Sequence, residues 1–165
     1  MNLIKKIILI VVAVFCLVGC DLTTKHIAKN ELKGQAVQSY LGGNLKLFYI
    51  ENSGGMLSIG ENLSEGLKFV VFQVFVAVML FVLLYYMIRK KNLDILQAIA
   101  FVLFLGGGFG NLIDRLMNNG KVVDFIILEA FGFRTGIFNI ADFYVTIGIV
   151  FLIAQIIFIR KPHTS

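Results

Sequence analysis

The chain has 165 residues, of which 58% are hydrophobic and 15% charged, with a mean hydropathy of +0.87. Soluble domains are about half apolar and about a quarter charged, so this much apolar surface exceeds what one small core hides and must face lipid. The net charge of +5 comes without a lysine- or arginine-rich polar face, which argues against a nucleic-acid partner; one proline and sixteen phenylalanines exclude disorder and collagen-like repeats.

The first apolar run, Ile7–Cys20, is long enough to span a bilayer only if Leu3–Lys6 joins it and the lysines snorkel. It holds both cysteines, Cys16 and Cys20, which read as small packing residues on one helix face. With no other cysteine, a disulfide framework and a cysteine zinc site are excluded. The outer segment Asp21–Lys68 follows. Its β-branched and aromatic stretches Gln35–Tyr40 and Leu45–Ile50, around the turn signal Gly42-Gly43-Asn44, predict a small strand-rich platform over about residues 21–66. Within it, Asn52-Ser53-Gly54-Gly55 reads as a turn or, alternatively, as a grip on an extended peptide.

The second span is Phe69–Ile88, interrupted only by Gln73, with Phe69, Phe72 and Phe75 read as lipid or packing surface. The third is Ile95–Ile113, whose Gly106-Gly107-Gly108 and Gly110 suit close helix approach better than a phosphate loop. A second outer segment, Asp114–Phe138, leads to the fourth span, Phe143–Ile159, extendable back through Asn139–Asp142. Lys5-Lys6, Arg89-Lys90-Lys91 and Arg160-Lys161 all fall on one side if both termini are cytoplasmic, as the positive-inside bias prefers. The expected fold is a membrane all-α protein with four transmembrane helices and both termini cytoplasmic. The strand-rich extracytoplasmic platform lies between helices 1 and 2, and residues 1–165 form one integral-membrane domain.

Polar residues at the outer ends of the spans carry the functional signal, because an ionisable group there is costly. They are Asp21 and Lys25, then Asn111, Asp114 and Arg115, then Asp124, and finally Asn139 and Asp142. Asp124 and Asp142 each sit among apolar neighbours. Two carboxylates brought together at a low-dielectric boundary share one proton and supply a general acid and a general base, the equipment for activating water against an amide. Asp142 alternatively caps helix four, and Asp114 with Arg115 alternatively forms an ordinary helix-end pair. His26 and His163 read as surface residues, which leaves no His-ligated metal.

In order and spacing these pieces resemble lipoprotein signal peptidase, the bacterial signal peptidase II family of intramembrane aspartyl proteases. The matching stretches are Asp21-Leu22-Thr23-Thr24-Lys25, Asn52-Ser53-Gly54, Gly110-Asn111-Leu112-Ile113-Asp114-Arg115, Val122-Val123-Asp124-Phe125 and Phe138-Asn139-Ile140-Ala141-Asp142. The resemblance implies that Asp124 and Asp142 are the catalytic pair. It implies that Asn52, Asn111, Arg115 and Asn139 position dyad and substrate, and that Asp21, Lys25, Asp114, Gly54, Gly107 and Gly110 give structural support. It further implies cleavage of diacylglyceryl-modified prolipoproteins just before the lipidated cysteine, with no metal or organic cofactor. The implied setting is the bacterial cytoplasmic (inner) membrane, as a multi-pass monomer among membrane lipids, with the active site near the extracytoplasmic face.

The sequence departs from the family pattern at Gly55-Met56-Leu57, where Ala-Ala-Phe is usual, at Gly108, where alanine is usual, and at Phe143-Tyr144. Lys5-Lys6, Ile7–Phe15 and Leu17-Val18-Gly19-Cys20 also resemble a lipoprotein signal peptide that would be cut before Cys20. The family motif that continues through Asp21–Lys25 favours an uncut first helix. The competing functions are a small multi-pass transporter, for which the inner halves of the spans lack ionisable relay groups, and a non-catalytic membrane binding protein.

Overall fold

The computed structural model describes residues 2–55 and 58–159. Met56 and Leu57 of the departing loop lie outside the described residues, as do Arg160, Lys161 and His163. Among the described residues, four helices are long and apolar enough to cross a membrane. They are α1 (Leu3–Leu32), α2 (Glu65–Arg89), α3 (Ile95–Met117) and α4 (Ile140–Ile159).

Helix α1 does not stop near Cys20 but runs on to Leu32, so the platform starts after Leu32 rather than at Asp21. The polar stretch that looks like an exit from the span is satisfied inside the protein. Asp21 and Lys25, one turn apart, form a buried ion pair at 2.8 Å, and Ala28 and Leu32 pack against Val123 and Phe125 of the sheet. The N-terminal half of α1 is more exposed, with Ile10 buried in the helical core and Leu17 against Gly106. Cys16 and Cys20 are exposed rather than buried packing residues. His26 is exposed too, beside Asn30.

The expected strands form as β1 (Gln38–Tyr40) and β2 (Leu45–Asn52), joined by a tight turn over Leu41–Gly43 whose residues adopt positive φ. The sheet is not confined to the segment between α1 and α2. The second outer segment adds β3 (Val122–Ala130) and β4 (Phe133–Arg134), giving one antiparallel sheet in the order β1-β2-β3-β4. The long apolar, β-branched run of β3 covers the edge that β2 would otherwise leave unpaired. Register pairs Asn52 with Val122 and Ile50 with Asp124, with an irregularity between Leu47 and Ile50. Asn52 and Asp124 are therefore diagonal neighbours on one face of the sheet, while Val123 and Phe125 point to the other face, toward α1.

Helix α3 is the hub, packed against α1, α2 and α4. Its three consecutive glycines meet three different helices: Gly106 faces Leu17 of α1, Gly107 faces the Ala141 carbonyl of α4, and Gly108 faces Leu80 of α2. None of the three has room for a methyl group unless a neighbour moves. Gly108 is thus matched to the Leu80 side chain, a physical account of one departure from the family pattern. At the end of the bundle away from the sheet, Lys6 Nζ donates to the carbonyls of Ile88 and Lys90, so the Lys5-Lys6 and Arg89–Lys91 clusters share one end.

Candidate active site

Asp124 comes from the middle of β3, and both of its carboxylate oxygens are held by amides. Asn52 Nδ2 donates to Oδ2 at 3.0 Å, and Asn139 Nδ2 donates to Oδ1 at 2.6 Å. Burial pushes the Asp124 carboxyl up to about 6; the Asn52 bond opposes this, the Asp142 charge adds to it, and the Asn139 bond and Lys25 oppose it. A carboxyl so placed exchanges its proton near neutrality, as a general acid or base must.

Asp142 stands at the third position of α4, with Asn139 at the cap. Asn139 Oδ1 accepts from the Asp142 N–H at 3.0 Å, and Asp142 Oδ2 accepts from the Asn139 N–H at 3.3 Å. This reciprocal pair is a capping box with an aspartate in the usual glutamate place. Capping and a place in the site are therefore both features of Asp142. Its other oxygen, Oδ1, accepts from Asn111 Nδ2 at 2.9 Å. Asn139 binds both halves together, because its Nδ2 also donates to Asn111 Oδ1 at 3.1 Å. A cavity of about 40 Å³ opens between the carboxylates, lined by Asn52, Gly55, Asn111, Arg115, Val122, Asp124 and Asp142. That volume suffices for a water molecule among polar partners.

Arg115 projects from the end of α3 and donates to the Gly54 carbonyl at 2.8 Å, with its guanidinium over the Phe72 ring at 5.4 Å. It thereby fixes the loop after β2 above the carboxylates, while its buried Nε has no partner among the described residues. The loop itself is shaped by Asn52, whose Oδ1 accepts from Gly54 N at 2.9 Å and whose Nδ2 also donates to the Gly55 carbonyl at 3.0 Å. A Cβ on Gly54 would lie 2.8 Å from the Ser58 and Ile59 backbone, so only glycine fits.

Behind the dyad lies a buried ionic layer. Lys25 Nζ bridges Asp21 at 2.8 Å and Asp114 at 3.4 Å and donates to Asn111 Oδ1 at 2.8 Å, which turns the Asn111 amide so that its N–H points at Asp142. Asp114 accepts from the Val123 N–H at 2.8 Å and from Asn118, clamping β3 one residue from Asp124. Asp21 accepts from the Ala141 N–H at 2.9 Å, one residue from Asp142. Gly110 leaves the space that the Asp21 carboxylate occupies, and Gly107 lets α4 approach.

The structure thus brings together all twelve of the singled-out positions, from Asp21 to Asp142. Asp114 and Arg115, adjacent in sequence, turn to different tasks rather than pairing with each other. Sequence reasoning missed Asn118, and it read Phe72 as lipid or packing surface without the Arg115 that packs on it. Phe72 lies in a stretch, Val70–Phe75, where α2 widens into a π-type turn, a feature that often marks functional sites but leaves no trace in hydropathy. Phe143 is exposed on the outer side of α4 and does not line the cavity.

The family model described as signal peptidase (SPase) II matches residues 12–158. The chain belongs to the signal peptidase II family. A lipoprotein signal peptidase from Borrelia hermsii (strain HS1 / DAH) is 33% identical over 160 residues, covering 94% of this chain and 93% of that protein. One from Francisella tularensis subsp. novicida (strain U112) is 31% identical over 162 residues, covering 98% and 99%. A solved bacterial membrane enzyme, determined by the in meso method at 2.3 Å resolution, superposes with a TM-score of 0.78 at 28% identity, covering 94% of this chain and 92% of the other. Signal peptidase II is a protease family of the aspartic type, and four apolar helices make this member a multi-pass membrane protein of bacterial kind.

Proposed function

We propose that this signal peptidase removes signal peptides from diacylglyceryl-modified prolipoproteins, cutting just before the lipidated cysteine with Asp124 and Asp142 as its catalytic pair. The observation that carries the reading is the water-sized cavity between two carboxylates, Asp124 buried and Asp142 half-buried, whose oxygens are held by Asn52, Asn111 and Asn139. The pair shares one proton. The ionised carboxylate takes a proton from water as its oxygen attacks the scissile carbonyl carbon, while the protonated one gives its proton to the carbonyl oxygen. Collapse of the resulting gem-diol breaks the C–N bond, the leaving nitrogen takes a proton, and the pair returns to its starting state. No covalent intermediate, metal or organic cofactor is required.

Asn111 and Asn139 hold the carboxylates apart and aimed, Asn52 holds Asp124 from the platform side, and Arg115 fixes the loop that meets the peptide. Asp21, Lys25 and Asp114, with Gly54, Gly107 and Gly110, keep helices and sheet in register around them. The reading places the lysine-rich end of the bundle in the cytoplasm and the carboxylates near the extracytoplasmic face of the bacterial cytoplasmic membrane. It takes residues 1–165 as a single domain working as a monomer among membrane lipids.

The deciding experiment is cleavage of a diacylglyceryl-modified prolipoprotein peptide by purified protein in detergent, with Asp124→Asn and Asp142→Asn alongside. Cleavage before the lipidated cysteine by the wild type, lost in both folded variants, is the expected result. Activity surviving either substitution removes that aspartate from the mechanism.

A further inference from the structure

A second cavity lies at the bundle end away from the carboxylates. There α1, α2 and α3 meet, and beside the small side chains of Ala13 and Ala98 lies a groove of about 650 Å³ whose walls include Ile10, Leu17, Met87 and Val102. The groove is apolar along its length and basic at its mouth, where Lys6 and Lys91 stand. Lys6 ties α1 to the last turn of α2 through the Ile88 and Lys90 carbonyls, and no carboxylate among the described residues pairs with Lys6 or Lys91. Lys6 lies fifteen residues before Asp21 on one helix, about 22 Å away along its axis, so the groove is separate from the peptidase site.

An apolar groove in a bilayer is filled by something apolar, and the mouth decides what. Three turns of helix, about 10 Å across and about 16 Å long, occupy on the order of 1,300 Å³, about twice this space, whereas a single alkyl chain is slender enough. Basic pockets between transmembrane helices attract anionic headgroups, each lysine contributing about 1 kcal/mol near the surface. We infer that the groove between α1, α2 and α3 binds one anionic phospholipid, its phosphate at Lys91 and Lys6 and one acyl chain laid over Ala98 and Ala13.

Cys16 lines this groove, whereas Cys20 does not, so the unmodified protein carries its own reporter and control. In detergent, added phosphatidylglycerol is expected to slow maleimide labelling of Cys16 while leaving Cys20 unchanged. Phosphatidylcholine of the same chain length, and inorganic phosphate, are expected to protect far less. In mass spectrometry of the intact complex, one phosphatidylglycerol should be retained in preference to phosphatidylcholine. Lys91→Gln should reduce that preference roughly fivefold, the equivalent of about 1 kcal/mol. Ala98→Phe, which fills the groove, should abolish retention of both lipids. Equal protection by the two lipids, protection by inorganic phosphate alone, or an unchanged Cys16 rate with phosphatidylglycerol would each overturn the assignment. The labelling experiment stands even if Ala98→Phe does not fold.

Discussion

At the carboxylate end of the bundle, Lys25 is buried between Asp21 and Asp114 and reaches Asn111, whereas at the opposite end Lys6 reaches two backbone carbonyls and Lys91 is exposed. The same residue type is fixed by a shell of partners in one place and left to the membrane surface in the other. A buried charge is tolerable only when paired and hydrogen-bonded, so the first arrangement demands that helices α1 and α3, strand β3 and the start of α4 all arrive together. The second demands almost nothing of the fold. Rigidity is thereby concentrated where the proposed chemistry is, and the far end is left free for recognition of its surroundings.

The largest expected effect is the loss of either dyad member. Asp124→Asn and Asp142→Asn should each lower turnover by about 10³-fold or more in the peptide cleavage assay, with helix content by circular dichroism unchanged. Next comes Lys25→Met, which leaves Asp21 and Asp114 buried without their cation and should cost about 3–5 kcal/mol in detergent unfolding. Lys91→Met, the matching change at the other end, should stay within about 0.5 kcal/mol. Equal costs for the two lysines would break the comparison.

Asp114→Asn sharpens it further. The amide still accepts from Val123 N–H but loses its attraction to Lys25, at a cost of about 1–2 kcal/mol. Turnover should fall about tenfold through misplacement of β3, which corresponds to about 1.4 kcal/mol of barrier. Complete loss in a folded Asp114→Asn protein would mean that the dyad has been assigned to the wrong carboxylates.

Protonation separates the buried Asp124 and the half-buried Glu51 in sign. Asp124 has a folded-state pKa of about 6 against an ordinary 3.8, so the native state binds the extra proton and this group's contribution to stability is lost as pH rises from about 4 through about 6. Removing it in Asp124→Asn should raise stability at pH 7 relative to pH 4 by at most about 3 kcal/mol compared with wild type. Turnover should show two apparent pKa values belonging to the pair, and a flat acid-to-neutral profile with chemistry rate-limiting would contradict a shared proton. Glu51 behaves oppositely. Hydrogen bonds from Lys33 and Tyr49, opposed by slight burial and aided by the Lys33 charge and Lys121, hold its carboxyl down at about 2, so its contribution is present above the ordinary carboxylate range and lost as pH falls toward 2. Because this cluster is largely solvated, Glu51→Gln should cost less than about 1 kcal/mol.

Much of the site was legible in the sequence because its residues are expensive. Asp124 among Val122, Val123 and Phe125, or Asn139 and Asp142 ahead of an apolar run, stand out against surroundings that do not solvate them. The extent of α1 was not legible, since Asp21–Lys25 looks like the end of a span until its partners on α3 are known. The second half of the sheet was missed for a related reason. Val122–Leu128 has the length and apolar content of a buried strand, but its pairing with β2 joins segments some seventy residues apart, and local patterning carries no register over that distance. The amide network escaped as well: Asn111 and Asn139 were recognisable as positioning residues, while their order of donation depends on Lys25, which only the folded chain brings near.

The three glycines of α3 have a geometrical corollary. Successive helical residues are about 100° apart, so Gly106, Gly107 and Gly108 cut three shallow notches around one shaft, each keyed to a different wall: Leu17, Ala141 and Leu80. Turning the shaft by one residue would offer each wall a notch cut for another, or none at all. Helix α3 can therefore be seated in only one rotational setting, and Asn111, Asp114 and Arg115, a turn or two beyond the notches on the same shaft, inherit their bearings from it.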